Sequence, residues 1–299
     1  MIPIDNGTTE NSTPAQTALV TGGASGIGRS TVRLFLTRGW SVVAADLNES
    51  SGRALLDEHP NEVAAGRLAF ARADVSSEED VERAAAQAAS LTGHLACVVN
   101  NAGIGGAFGR ITETSVEDWD YTFAVLSRGV FLGVKHAAKI MQAQGTGGAI
   151  VNVASLAALT GDAGPQAYSA AKASVVHMSR VFATELGPHR IRVNCVCPGA
   201  IATPLNPSAS RGFDGSELAR AQPLPFVGEP EHLASAIYFL GSSESSFVTG
   251  QYLAVDGGLE AAGPRLGQYL GTDPRYGSLV GVNRGNTGVK STVHGKATQ

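Results

Sequence analysis

Residues 17 to 28 read Thr17-Ala-Leu-Val-Thr-Gly-Gly-Ala-Ser-Gly-Ile-Gly28, and they constrain the fold more than any other stretch. The apolar run Ala18-Leu19-Val20 stops at glycines. A helical pattern through Ile27, Val32, Leu34 and Phe35 starts just beyond. The order is strand, tight turn, helix. Glycine lets such a turn take positive φ and lets a second backbone or a ligand approach closely. The opening helix turns its unpaired N–H groups and positive dipole end toward the turn, a natural seat for a phosphate. The glycines, Gly22, Gly26 and Gly28, are spaced G-x-x-x-G-x-G. Either the stretch opens a dinucleotide-binding fold, or it is a glycine-rich loop that binds nothing; the strand and helix around it favour the first.

The rest of the chain supplies what such a fold needs. Strand-like runs follow at Ser41–Asp46, Leu68 to Asp74, Ala96 to Val99, Ala149 to Ala154, Ile191 to Val196 and Gln251 to Val255. Between them lie helical patterns: the first ends by Gly39, and others cover Ser51 to His59, Ser76 to Leu91, a start near Ser115, Arg128 to Gln144, Gln166 to Leu186 and Glu229 to Leu240. Ser76-Ser-Glu-Glu79 reads as a capping box. Strands alternating with helices, with buried β-branched runs, predict an α/β fold with a doubly wound parallel sheet. One domain is expected over residues 15–262, after a flexible tail at 1–14 and before a glycine-rich, basic C-terminal arm at 263–299.

Composition excludes several classes. The net charge is −4, and no Lys/Arg cluster points to nucleic acid or an anionic membrane. No stretch approaches the roughly 20 apolar residues of a membrane span. Cys97, Cys195 and Cys197 have no metal-ligand spacing, and the histidines form no evident metal set, so no metal is expected. Cys195 and Cys197 alternate along a strand and share a face, which reads as buried thiols in a reducing compartment. The expected protein is soluble and cytoplasmic.

In a sheet of this kind ligands sit beyond the carboxyl ends of the strands. Asp46 ends the second strand, eighteen residues beyond Gly28. A carboxylate there accepts the ribose hydroxyls of an adenosine and repels a 2′-phosphate; a solvated strand-end acid is the plainer reading. Asp74-Val75 and Asn100-Asn-Ala-Gly103 reach the same edge, although turn chemistry alone explains the latter almost as well. Tyr168 and Lys172 are four residues apart on one helix face. An ammonium one turn from a phenol favours the phenolate, which suits the phenol to proton transfer with a carbinol oxygen. Ser155, thirteen residues before Tyr168, either holds that oxygen through its hydroxyl or caps a turn.

Taken in order, Thr21-Gly-Gly-Ala-Ser-Gly-Ile-Gly28, Asp46, Asp74-Val75, Asn100-Asn-Ala-Gly103, Ser155, Tyr168-x-x-x-Lys172 and Arg192-Val-Asn-Cys-Val-Cys-Pro-Gly199 resemble the short-chain dehydrogenase/reductase family over residues 15–262. The resemblance implies a Rossmann-type fold and hydride transfer between a nicotinamide cofactor and a secondary alcohol or ketone. It implies Tyr168 as acid/base, Lys172 holding the nicotinamide ribose and tuning Tyr168, and Ser155 orienting the substrate oxygen. It places Gly22, Ser25, Gly26, Ile27, Gly28, Asp46, Leu47, Asp74, Val75, Asn101, Ala102, Gly103, Pro198, Gly199, Ile201 and Thr203 on the cofactor. It also implies a homo-oligomer, a tetramer above all, with contacts near Gln251 to Gly258.

Ser25 and Leu47 stand where relatives that prefer NADP carry a basic residue. With Asp46, this predicts NAD, and by analogy oxidation of an alcohol. The runner-up is an NADPH-dependent ketoreductase. One position departs from the family pattern. Where the family has an asparagine that holds a relay water beside the lysine, this chain has Leu126. Either Ser127 or a backbone carbonyl with water does that work, or the protein is a non-catalytic nucleotide-binding subunit. For the substrate, the loop from Pro204 to Val227, with Leu205, Phe213, Leu218, Leu224 and Phe226, is expected to line a largely apolar pocket. Gly105, Gly106, Ala107, Phe108, Leu156 and Leu159 are expected to add to it. That lining predicts a hydrophobic cyclic or aromatic alcohol, although the same residues serve equally to pack the loop. The arm is either disordered or a clamp on a neighbouring subunit anchored by Leu266, Tyr269, Leu270, Tyr276, Leu279 and Val280.

Overall fold

The computed structural model describes residues 15–205, 222–263, 279–282, 284, 290 and 292–296. The expected tail at 1–14, most of the expected substrate loop (206–221) and the arm residues 264–278 lie outside the described residues. Seven strands form one parallel sheet: β1 (Thr17–Thr21), β2 (Ser41–Asp46), β3 (Leu68–Arg72), β4 (Leu95–Asn100), β5 (Gly148–Val153), β6 (Ile191–Pro198) and β7 (Tyr252–Val255). Their order is β3-β2-β1-β4-β5-β6-β7, with Thr17 level with Ser41 and Cys97 level with Ala149. The central strands are buried along their whole length, as helices on both faces require.

The helices are α1 (Gly26–Thr37), α2 (Glu49–Glu58), α3 (Pro60–Ala64), α4 (Glu78–Thr92), α5 (Val116–Phe123), α6 (Gly129–Gln144), α7 (Gln166–Leu186), α8 (Pro230–Gly241) and α9 (Leu259–Ala262). On one face α4, α6 and α7 bury Ala84, Val134, Met141 and Val175 against Leu95, Ile150 and Ile191. On the other, α1 and α8 bury Val32, Phe35, Leu233 and Ile237 against Val42, Val99 and Val151. Phe35 meets the edges of Trp40 and Tyr238 at 5.0 and 5.2 Å between ring centroids. A fully buried leucine or phenylalanine contributes roughly 1.5–3 kcal/mol, so these two layers hold the sheet.

Strand order reverses direction between β1 and β4. Connections leave them on opposite faces, and a crevice opens beyond their carboxyl ends. Two local features differ from the sequence reading. The α4 cap is Ser77, whose hydroxyl accepts from Asp80 N, because Ser76 instead donates to the Asp74 carboxylate at 2.7 Å. And α5 does not end before α6: Ala124–Arg128 is a π-helical turn joining them. Neither Gly nor Pro interrupts residues 116–128, so the helix absorbs an extra residue by widening rather than breaking.

The compact unit containing the sheet runs to Glu260, and a second unit spans Ala261–Gln299. The second holds an antiparallel pair, β8 (Leu279–Val282) and β9 (Thr292–Lys296), with Leu279 level with Lys296. No helix among the described residues is long and apolar enough to cross a membrane.

Candidate active site

The glycine turn and the start of α1 form one wall of a cavity. Gly22 and Gly26 have φ of 63° and 49°, values at which a side chain is strained. A Cβ on Gly22 would also lie 2.8 Å from the Ala102 Cα. That closeness is held by hydrogen bonds. The Thr21 hydroxyl accepts from the amides of Asn101 and Ala102 at 3.0 and 3.1 Å, and Asn101 Nδ2 donates to the Thr21 and Gly22 carbonyls. Ser25 stands at the N-cap of α1 without using its side chain to cap, so the first amides of the helix stay open toward the cavity. Gly28 does not line the cavity. Its missing side chain would strike the Gly22 carbonyl oxygen and Asn101 Nδ2, so its role is to let α1 pack on the turn.

Further along the same edge, Asp46 ends β2. Its carboxylate accepts from Ala24 N at 3.1 Å and Asn48 N at 3.0 Å, which fixes its direction while it borders the cavity. Leu47 beside it is half-exposed. Asp74, just past β3, accepts from the Ser76 amide at 2.8 Å.

At the other end, Ser155 follows β5 and its Oγ accepts from Ala157 N at 3.1 Å. The hydroxyl thus caps a short 3-10 turn, and its proton stays available for another acceptor. Tyr168 and Lys172 project from α7, with the Lys172 ammonium 5.7 Å from the centre of the Tyr168 ring. Lys172 is only 4% exposed and donates to the Val153 carbonyl at 2.8 Å. An ammonium has three donors, and no second acceptor faces this one among the described residues. Pro198, Gly199, Ile201 and Thr203 continue from β6 along the rim. Gly199 is required there because a Cβ would sit 2.6 Å from the Asp256 Cα.

All the sequence-derived site residues except Gly28 line a single cavity of about 680 Å³. It falls in the size range of small-molecule sites. Residues 22–260 match the family model adh_short_C2, described as enoyl-(acyl carrier protein) reductase. A 2,5-dichloro-2,5-cyclohexadiene-1,4-diol dehydrogenase of Sphingobium indicum is 39% identical over 248 residues, 82% of this chain and 97% of the relative. The chain belongs to the short-chain dehydrogenase/reductase family. A trans-4-hydroxycyclohexanecarboxylate dehydrogenase of Sinomonas cyclohexanicum is 39% identical over 255 residues, 84% of this chain and 95% of the relative. The structure of a short-chain dehydrogenase/reductase from Mycobacterium ulcerans superposes with a TM-score of 0.78 at 34% identity, covering 85% of this chain and 94% of that one.

The chain is thus an oxidoreductase of that family, whose dehydrogenases use nicotinamide cofactors, and the residues lining the crevice fit such a group. The helix amides are uncapped, the glycines leave room, the strand-end carboxylate is fixed, and the buried ammonium keeps donors unspent.

Leu126, the residue that departs from the family pattern, is fully buried. It packs with Val125 and Ala171, against Val75, Ile104, Phe123 and Tyr168. The Ser127 hydroxyl pairs with Ser174 Oγ at 2.8 Å. A backbone carbonyl, that of Val153, is what Lys172 meets.

The wall also contains residues that motif reading did not reach: Tyr121, Val125, Ala163, Pro165 and Leu259. Val125 lies within the π-helical turn and Tyr121 just before it, where regular helical periodicity no longer gives the facing. Of the residues expected to add to the substrate pocket, Gly105, Leu156 and Leu205 line it. Phe108 is 85% exposed instead, and Leu159 packs against the core. Leu224 and Phe226 are half-exposed and off the cavity wall, while Phe213 and Leu218 lie outside the described residues. The three cysteines are buried and unpaired to one another by disulfide.

Proposed function

We propose that the chain is an NAD-dependent dehydrogenase that oxidises a hydrophobic cyclic secondary alcohol to its ketone. The observation that carries this reading is the convergence of Ser155, Tyr168 and Lys172 on one cavity whose other end is bordered by Asp46. The bound nicotinamide supplies the hydride acceptor. Within the chain, the Ser155 hydroxyl donates to the substrate oxygen while the Ala157 amide keeps Ser155 Oγ in place. The Tyr168 oxygen takes the carbinol proton as the carbon gives up its hydride. Lys172 keeps one N–H on Val153 and turns the others to the ribose hydroxyls and toward Tyr168.

Asp46 supports NAD over NADP, because a carboxylate held there repels a 2′-phosphate and no arginine replaces Leu47. The two relatives act, by their names, on ring alcohols. Apolar Ile104, Val125 and Leu156 are among the residues that line the same cavity as Ser155 and Tyr168. Among the described residues its one cation is Lys172, which supports a neutral substrate over a carboxylated one. Exposed Phe239, Phe247 and Leu253 support assembly with further copies of the chain, for which a homotetramer is our reading. A second reading, a nucleotide-binding subunit without turnover, rests on Leu126 alone.

The test is absorbance of the reduced nicotinamide with NAD or NADP and a panel of cyclic, aromatic and aliphatic secondary alcohols, beside Tyr168→Phe. Turnover with NAD that falls at least about a hundredfold in the variant supports the proposal. Bound NADH without turnover of any alcohol supports the second reading.

A further inference from the structure

The polar side chains of the cavity sort along the sheet edge. Ser25, Asp46 and Asp74 follow β1, β2 and β3, and Thr203 lies against Gly26. Asn101 spends its amide on the glycine turn. Ser155, Tyr168 and Lys172 serve the reacting oxygen. One polar side chain of the wall then has no assignment: Tyr121.

Tyr121 sits on α5, which packs on α7, the helix that carries Tyr168. Its backbone is held firmly. The next residue, Thr122, is fully buried, accepts from Ala107 N at 2.9 Å and donates to Asp118 O at 2.7 Å. Gly106, with φ of 69°, presses on Thr122 so closely that a Cβ there would lie 2.6 Å from Thr122 Cγ2. The loop beyond β4 and α5 therefore form one rigid corner. The Tyr121 ring is 57% exposed at the cavity wall, and its hydroxyl has no hydrogen-bond partner among the described residues. The same cavity is also lined by the apolar Ile104, Leu156 and Val125, the last one helical turn beyond Tyr121. A phenol in such a wall offers an apolar ring to the substrate body and a single donor at its tip.

We propose that Tyr121 is a specificity-determining residue that hydrogen-bonds a second oxygen of the substrate, remote from the carbinol that reacts. This deepens the ring-alcohol reading above and rests on it. The preferred substrates are then ring alcohols bearing a second hydroxyl or a carbonyl, not simple cycloalkanols. A site built to hydrogen-bond an oxygen discriminates against the analogue that lacks it.

The experiment compares wild type and Tyr121→Phe with cyclohexane-1,4-diol and cyclohexanol, each with NAD. The readout is the ratio of the two kcat/KM values. The substitution removes one oxygen from a half-exposed ring, and turnover of cyclohexanol reports that the variant is folded. The expected result is a diol-to-monoalcohol ratio about tenfold lower in the variant, through KM for the diol. A ratio within twofold of wild type overturns the proposal, whether both substrates fall together or neither does. Absence of NAD-dependent turnover of every ring alcohol by the wild type removes the ring-alcohol reading, and this proposal with it.

Discussion

The Lys172 ammonium is tied to the Val153 carbonyl oxygen at 2.8 Å, a contact that runs from α7 to the last residue of β5. Burying an unpaired ammonium is costly, and here a strand-end carbonyl meets the charge. The same contact aims Lys172 past Tyr168 and into the cavity. Leu126 stands nearby: a Cβ built on Gly103 would lie 3.3 Å from Leu126 Cδ2 and 3.7 Å from Lys172 Nζ. The α5–α6 junction thus brings an apolar side chain near the lysine, and the lysine has no side-chain acceptor from that junction.

Leu126→Asn follows from this arrangement. It places an amide in a fully buried apolar cluster, so stability falls by about 1–3 kcal/mol. Because Val153 already orients Lys172, kcat stays within threefold of wild type. Thermal unfolding and steady-state turnover of the same preparation check both halves. A tenfold gain in kcat would show instead that Leu126 holds the catalyst back.

The proposed preference for NAD rests on Asp46. Its carboxylate is fixed by the amides of Ala24 and Asn48 and cannot swing away from a 2′-phosphate without losing both. Asp46→Ser combined with Leu47→Arg should raise the NADP-to-NAD ratio of kcat/KM at least about a hundredfold, since like-charge contacts cost several kcal/mol. Initial rates with the two cofactors measure it. An unchanged ratio would place cofactor selection elsewhere.

Cys97 gives a pH prediction. It is fully buried, and a Cβ built on Gly241 of α8 would sit 2.8 Å from its sulfur. Burial pushes the thiol up from 9.0 to about 12. As pH rises through 9 the unfolded chain loses this proton and the folded chain keeps it. The contribution is therefore whole below pH 9 and is lost progressively toward pH 12, roughly 4 kcal/mol in all. Urea unfolding at pH 8 and pH 10.5 should show a steeper loss in wild type than in Cys97→Ala. In the native protein at pH 8, thiol reagents should label none of the three buried cysteines. Labelling without unfolding would contradict their burial.

Much of the site could be read from short-range pattern. The turn at Gly22 and Gly26 needs positive φ, and glycine announces it. Tyr168 and Lys172 share a face because a helix repeats every 3.6 residues. The positions of Asp46 and Ser155 at strand ends are legible because those ends are marked by the loss of apolar runs. The cap of α4 lies one residue beyond the Ser76 that the pattern points to, because two serines compete for it and Asp74, six residues upstream of its partner Asp80, decides between them. Membership of the glycine motif places Gly28 at the ligand. Its actual constraint is the Gly22 carbonyl packed against it.

The layered α/β fold, the seven-strand alternation and the residue types at each strand end are encoded locally, because periodicity and turn chemistry act within a few residues of one another. Contacts across the fold are what bring Val153 to Lys172, Ser127 to Ser174, Leu126 into a buried cluster with Ala171, and Tyr121 and Leu259 to the same cavity as Ser155. Those facts depend on contacts between segments far apart in the chain and on one π-helical turn that resets the facing of everything after it. Strand order and helix packing set such contacts, and nothing within a single segment encodes them.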